Sequence, residues 1–208
     1  MKSMLFRKLL PLFAVAALFS SPCAHAQFGV YGTVTGENLS SFKCVTVTAA
    51  PTTGCSTTGQ NVSVKPYGAD FGVYYEFRNV GPARLGFDLR GGVLNSSKDT
   101  FENLTSSDVI RHYSALGGVR ASFGTPIKFI RPYAEIAGGY ARFGSVDPRS
   151  SYPLSNYTQF EGLVGIDAPI LPYMDIRAIE FGAGALFGSS THGIQSIGAG
   201  IVFHTTTR

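Results

Sequence analysis

The chain has 208 residues and a formal charge of +4, yet only 14% of it is charged, against roughly 25% in ordinary soluble domains. No Lys/Arg block marks a nucleic-acid surface, so no nucleic-acid partner is expected. Beyond residue 26 no run of 18 apolar residues occurs, which excludes a helical membrane span and leaves strands as the only route into a bilayer.

Residues 1–26 read as a cleaved, helical signal peptide. Lys2, Arg7 and Lys8 precede the apolar run from Leu9 to Phe19, and Ala24-His25-Ala26 supplies the small-residue cleavage pattern. Loss of those three cations lowers the formal charge from +4 to +1. Of the three cysteines Cys23 leaves with the peptide. Cys44 and Cys55 remain, and an even pair in an exported chain reads as one disulfide.

From Phe28 onward the apolar pattern has a period of two in segments of about ten residues separated by turn-rich stretches, which predicts half-exposed strands. The first segment sets Phe28, Val30, Gly32 and Val34 against Gly29, Tyr31, Thr33 and Thr35. In the second, the residues from Tyr67 to Arg78 place Asp70, Glu76 and Arg78 on one face. The third sets Leu85, Phe87, Leu89, Gly91 and Val93 against Arg84, Asp88 and Arg90, and the fourth sets Tyr113, Val119 and Phe123 against His112 and Arg120. The fifth puts Ile130, Ile136 and Tyr140 opposite Arg131 and Glu135, with Pro132 weakening the ladder. Glu161 and Asp167 share a face of the sixth, Glu180 lies on the polar face of the seventh, and the eighth, from Ser196 to Phe203, has no charge.

The connections alternate in length. Asn79 to Pro82, Gly124 to Pro126 and Leu171 to Asp175 are short, whereas Gly36 to Lys65, Asn95 to Asp108 and Gly144 to Tyr157 are long. That alternation predicts short turns on the periplasmic side and long loops outside. The Gly36 to Lys65 stretch keeps part of the alternation, which predicts a hairpin projecting past the lipid and clamped by Cys44 and Cys55.

These readings predict an all-β fold, an eight-stranded antiparallel up-and-down transmembrane β-barrel formed by residues 27–208 as one domain. Backbone groups in hydrocarbon must all be paired, so the sheet has to close. An arginine facing the lipid midplane costs about 2–4 kcal/mol, which turns the charged face inward. The predicted lumen network is Asp70, Glu76, Arg78, Arg84, Asp88, Arg90, Arg120, Arg131, Glu135, Glu161, Asp167 and Glu180. Mixed signs predict pairing in a lumen filled by side chains, not a selectivity ring. Phe28, Phe77, Phe123 and Phe203 at one border, and Tyr67, Tyr113, Tyr140 and Phe187 at the other, read as interfacial girdles.

No catalytic constellation, cofactor motif or metal-ligand spacing is present in the sequence. His192 and Ser196 near the loop-bearing rim are the one place where a lipid-deacylating barrel enzyme could keep a base and a nucleophile.

The strand Arg84-Leu85-Gly86-Phe87-Asp88-Leu89-Arg90-Gly91-Gly92 and the run Arg131-Pro132-Tyr133-Ala134-Glu135-Ile136-Ala137-Gly138-Gly139-Tyr140 look like strands of a known group. Residues 27–208 resemble the eight-stranded outer-membrane barrels of the OmpA-like, OmpX-like and opacity-protein group, by pattern. The resemblance implies location in the outer membrane of a Gram-negative bacterium among lipid and lipopolysaccharide. It implies insertion by the barrel-assembly machinery and a structural or surface-interaction, adhesion-like role for a monomer whose loops meet a host or cell-surface ligand. No peptidoglycan-binding domain is in view, so it implies no cell-wall anchoring. The alternatives are a narrow pore for ions or small solutes and a lipid-modifying barrel enzyme. A soluble lipocalin-like barrel is the fold-level rival, with charges outward and apolar residues inward.

Overall fold

The computed structural model describes residues 27–43, 61–96, 110–125, 127, 129–145 and 155–205. The expected signal peptide and both Cys44 and Cys55 lie outside the described residues. Among the described residues nine strands follow in chain order: β1 (Gln27–Lys43), β2 (Asn61–Val64), β3 (Tyr67–Val80), β4 (Ala83–Asn95), β5 (Ile110–Phe123), β6 (Arg131–Ser145), β7 (Ser155–Leu171), β8 (Met174–Phe187) and β9 (Thr191–His204).

β1 pairs antiparallel with β3 from Gln27↔Glu76 to Gly36↔Tyr67, each strand from β3 to β8 pairs antiparallel with the next, and β1 returns to pair with β9 from Gly29↔His204 to Leu39↔Ile194, which closes the sheet. The short β2 continues the line of β3 and pairs with the far half of β1, from Leu39↔Val64 to Lys43↔Asn61. The closed wall therefore has eight strands, with β1 and β2 forming the base of the hairpin that the sequence predicts.

The hairpin turns sit at one end of the barrel, called the turn end. Val80 pairs with Ala83 around Gly81-Pro82, and Gly81 takes φ +59°. Proline cannot adopt a positive φ, so a left-handed residue followed by Pro82 gives the type II′ turn that suits a two-residue hairpin. Pro132 is the second residue of β6 and is paired only with Ile166 of β7, a position where the missing donor costs little. At the other end, the loop end, β1 runs to Lys43 and β7 starts at Ser155, both beyond the limits expected from the alternation.

Parity holds over most of the wall. Outward positions include Val34, Phe71, Leu89, Val119, Ile136, Val164 and Ile201, all exposed, while the alternating residues are buried in the lumen. Tyr113 and Phe123 bound this outward band on β5. Their ten-residue separation spans about 26 Å at about 3.4 Å per residue and a tilt near 40°, the height expected of a membrane-facing band.

Of the register shifts, which also occur in β1 between Leu39 and Phe42 and in β7 between Pro169 and Leu171, two bulges decide which way charged residues face. Between Glu76↔Gly86 and Arg78↔Leu85, β3 carries one extra residue, Phe77, which stacks on Phe87 with ring centroids 4.9 Å apart. On β8 the partners of Asp167 and Ile166 are Arg177 and Ile179, leaving Ala178 as the extra residue. A strand reverses which residues face inward when it passes such a point.

Candidate functional site

The lumen is where the chain concentrates its chemistry. All nine described carboxylates, Glu37, Asp70, Glu76, Asp88, Glu135, Glu161, Asp167, Asp175 and Glu180, are buried there. Three arginines share the space with almost no exposure: Arg90, Arg120 and Arg177.

At mid-height these groups form one connected network. Arg120 Nη2 donates to Asp167 Oδ2 at 2.6 Å, and Arg177 Nε donates to the other oxygen of Asp167 at 3.0 Å. Arg177 Nη1 reaches Glu180 Oε2 at 3.0 Å, and Arg90 grips the same carboxylate through Nη1 at 3.0 Å and Nη2 at 3.2 Å. Arg90 also meets Glu135 at 3.2 Å and Asp88 at 3.7 Å.

Tyrosines fill the remaining directions. Tyr133 donates its hydroxyl to Glu180, and Tyr31 donates to Asp88 at 2.7 Å. The Arg120 guanidinium lies 3.7 Å from the centroid of the Tyr133 ring and 4.5 Å from that of Tyr74, and Arg177 lies 4.3 Å from that of Tyr31. Stacked, bidentate arginines give each ion a fixed direction, which a lysine ammonium could not.

Glycine makes the room. Tyr31 sits opposite Gly72, Tyr74 opposite Gly29 and Tyr133 opposite Gly165, and a Cβ on any of the three glycines would fall 2.3–2.5 Å from the facing ring. Each ring therefore lies flat across the backbone of its neighbour.

Toward the turn end, Glu76 accepts from Ser122 at 2.6 Å, and Asp175 pairs with Arg131 at 3.2 Å and His204 at 3.2 Å. Toward the loop end, Glu161 accepts from Ser196 at 2.6 Å and Gln159 at 3.1 Å. Asp70 lies across Gly92, its directly paired partner on β4. Beyond them Leu39, Ala141, Phe143, Tyr157, Leu186 and Ile194 pack as one buried apolar cluster. His112 stacks on Phe143 at 4.2 Å and holds Glu37 through Nδ1 at 2.7 Å, so the loop end of the barrel is packed with side chains.

Of the twelve residues predicted for the lumen, Asp88, Arg90, Arg120, Glu135, Asp167 and Glu180 meet in the central network. Asp70, Glu76, Arg131 and Glu161 lie above or below it. Arg78 does not face the lumen: the Phe77 bulge puts it beside Leu85 on the outward face, where it is exposed. Arg84 keeps its inward parity but stands exposed at the turn-end rim, its Nη1 3.3 Å from Gln27 Oε1.

Arg177, Asp175 and Glu37 are the lumen charges that the alternation misses, Glu37 because it falls in the connection predicted from Gly36 to Lys65. Extended back from Glu180 without a bulge, the alternation turns Arg177 and Asp175 toward the outside, and Asp175 falls in the predicted turn. That conflict is itself a readable signal, since two charges outward at the foot of an apolar band mark a register change. His192 and Ser196 are not together either. Ser196 is bound to Glu161, while His192 Nε2 lies 2.6 Å from Ser190 Oγ and its ring packs edge-on against Tyr157. Among the described residues, no group of three or more His, Cys, Asp or Glu side chains could hold a metal ion.

No protein-family model matches the chain, and no curated protein does. Solved structures do. Neisserial surface protein A is similar with a TM-score of 0.57 and 16% identity over 86% of this chain and 98% of that one. Ail, the attachment invasion locus protein of Yersinia pestis, solved with the heparin analogue sucrose octasulfate, gives 0.54 and 10% identity over 87% of this chain and 99% of that one. The chain thus has the fold of the small eight-stranded outer-membrane barrels of the OmpA/OmpX-like group.

Proposed function

We propose that residues 27–208 form an integral barrel of a Gram-negative outer membrane, delivered by cleavage after Ala26, with a structural or surface-interaction role and a lumen closed to solutes. The observation that carries the reading is the separation of chemistry between the two faces. Every described carboxylate is buried inside, whereas the outside is a continuous apolar band edged by Tyr67, Tyr113, Tyr140 and Phe187 at the loop end and Phe28, Phe123 and Phe203 at the turn end. A soluble barrel would expose these rings to water, and exposed apolar patches of that extent mark a surface that something covers. In this reading the loop end faces outward from the cell. The strands that continue past the aromatic border, β1 with β2 and the start of β7, present the surface that meets a cell or host ligand, with Cys44 and Cys55 clamping the first hairpin.

The lumen supports a closed structural barrel over a pore. Its cations and anions are paired at mid-height and its loop end is capped by apolar side chains. Sorting by membrane fractionation together with heat-modifiable migration tests the reading. The protein is expected in the outer-membrane pellet, with a faster-migrating folded band that shifts on boiling. Recovery in the periplasmic supernatant with one band at all temperatures would end it.

A further inference from the structure

Just beyond the loop-end aromatic border, the outward faces of β4 to β7 carry a polar surface that the lumen does not use. Asn95, Arg111, Arg142 and Asn156 stand there, and their inward neighbours Leu94, His112, Ala141 and Tyr157 are all buried, which fixes the four as outward. Arg111 is held in place: its Nε donates to Asn95 Oδ1 at 2.9 Å and its Nη1 to the Tyr113 hydroxyl at 3.2 Å. Tyr140 likewise donates to Asn156 Oδ1 at 2.5 Å. The register sets Arg142 opposite Tyr113, which makes Arg111 and Arg142 diagonal neighbours on adjacent strands, about 7–8 Å apart at the backbone.

Charge and shape both point to an occupant. With every described carboxylate in the lumen, the outward face of the barrel strands carries charge of one sign only, at Arg78, Arg111 and Arg142. Two guanidinium groups with no carboxylate partner among the described residues suit a phosphate, which accepts paired N–H groups. From Arg111 down β5 the outward residues after Tyr113 are Ala115 and Gly117, and Gly91 lies beside Ala115 on β4. A shallow apolar concavity begins there and continues past Leu89, Ala69 and Phe71 toward β1, so an acyl chain can lie against the backbone below the arginines.

We propose that Arg111 and Arg142, with the Asn95 and Asn156 amides beside them, form a docking site for a phosphorylated glycolipid of the outer leaflet. The phosphate meets the guanidinium pair, and the acyl chains run down the Ala115–Gly117 track. The assignment rests on the outer-membrane reading, which sets the loop end in the outer leaflet.

The test is native mass spectrometry of the folded barrel in non-ionic detergent, titrated separately with diphosphorylated lipid A, dephosphorylated lipid A and phosphatidylglycerol. The same samples are scored for heat-modifiable migration. Wild type and Arg78→Gln are expected to retain diphosphorylated lipid A in preference to the other two lipids. The Arg111→Gln/Arg142→Gln variant, still heat-modifiable, is expected to lose that retention by about tenfold or more. Undiminished retention by the folded double variant, or equal retention of the dephosphorylated lipid by wild type, would overturn the site. Equal retention of phosphatidylglycerol would overturn the glycolipid assignment. A wild type with no heat-modifiable band would remove the membrane reading and the site with it.

Discussion

Arg177 has no exposed surface and bridges Asp167 and Glu180, so its removal takes one of two arginine partners from each buried carboxylate, leaving Arg120 on Asp167 and Arg90 on Glu180 and the cluster one positive charge short. Breaking a buried pair from one side costs far more than the pair contributes, because the remaining ion keeps its desolvation penalty. Arg177→Met is therefore expected to destabilise the barrel by about 3–5 kcal/mol in urea titrations of the protein folded into vesicles. Arg78→Gln, an exposed outward position at the Phe77 bulge, should stay within about 0.5 kcal/mol of wild type in the same titration. If the two variants moved stability equally, the inward and outward assignments of these arginines would be wrong. A third residue-scale test concerns Gly165, whose Cβ would fall 2.5 Å from the Tyr133 ring. Gly165→Ala must push that ring off the Arg120 guanidinium, with an expected loss of about 1–3 kcal/mol. Gly162→Ala, outward on the same strand with its nearest neighbour 3.9 Å away, is the matched control.

At the scale of elements, the bulge in β8 decides which charges the lumen contains. Ala178 is the inserted residue, and without it Asp175 and Arg177 would turn toward the lipid. Deletion of Ala178 is accordingly expected to abolish the folded, heat-modifiable band, whereas deletion of Ser189, in the loop-end connection between β8 and β9, should leave it. The bulges also mark the limit of what was legible in the sequence. Alternation over Leu85 to Val93 and Tyr113 to Phe123 sets strand, face and register together, since one charge on the wrong side would cost more than any local propensity could return. A bulge changes the count by one residue and uses residues, Phe77 and Ala178, that are at home in any strand, so the inserted residue itself does not announce it, and in β8 only the charges it would otherwise turn outward do. The partners inside the lumen were illegible for a different reason. That Arg90 grips Glu180 depends on how strands ninety residues apart face one another across the barrel, which the period along one strand does not encode. The loop-end cap was hidden too, because Leu39 and Phe143 lie in stretches that read as loop or strand end.

For the whole molecule, closure converts a two-faced sheet into an inside and an outside with opposite chemistry. The lumen is filled by paired ions and stacked tyrosines and capped by the Phe143 and Leu186 cluster, so planar bilayers containing the folded protein should show no unitary current steps. Regular ion-conducting steps would mean that the cap does not seal. The outward band makes the sharper claim. The chain contains no tryptophan, so single tryptophans can report each face without background. Val119 is outward and exposed, while Leu116, three residues earlier on the same strand, is buried in the lumen. In vesicles of lipids brominated along their acyl chains, Val119→Trp is predicted to be strongly quenched and Leu116→Trp to be spared. Quenching of the inward tryptophan with protection of the outward one would reverse the faces and contradict the account.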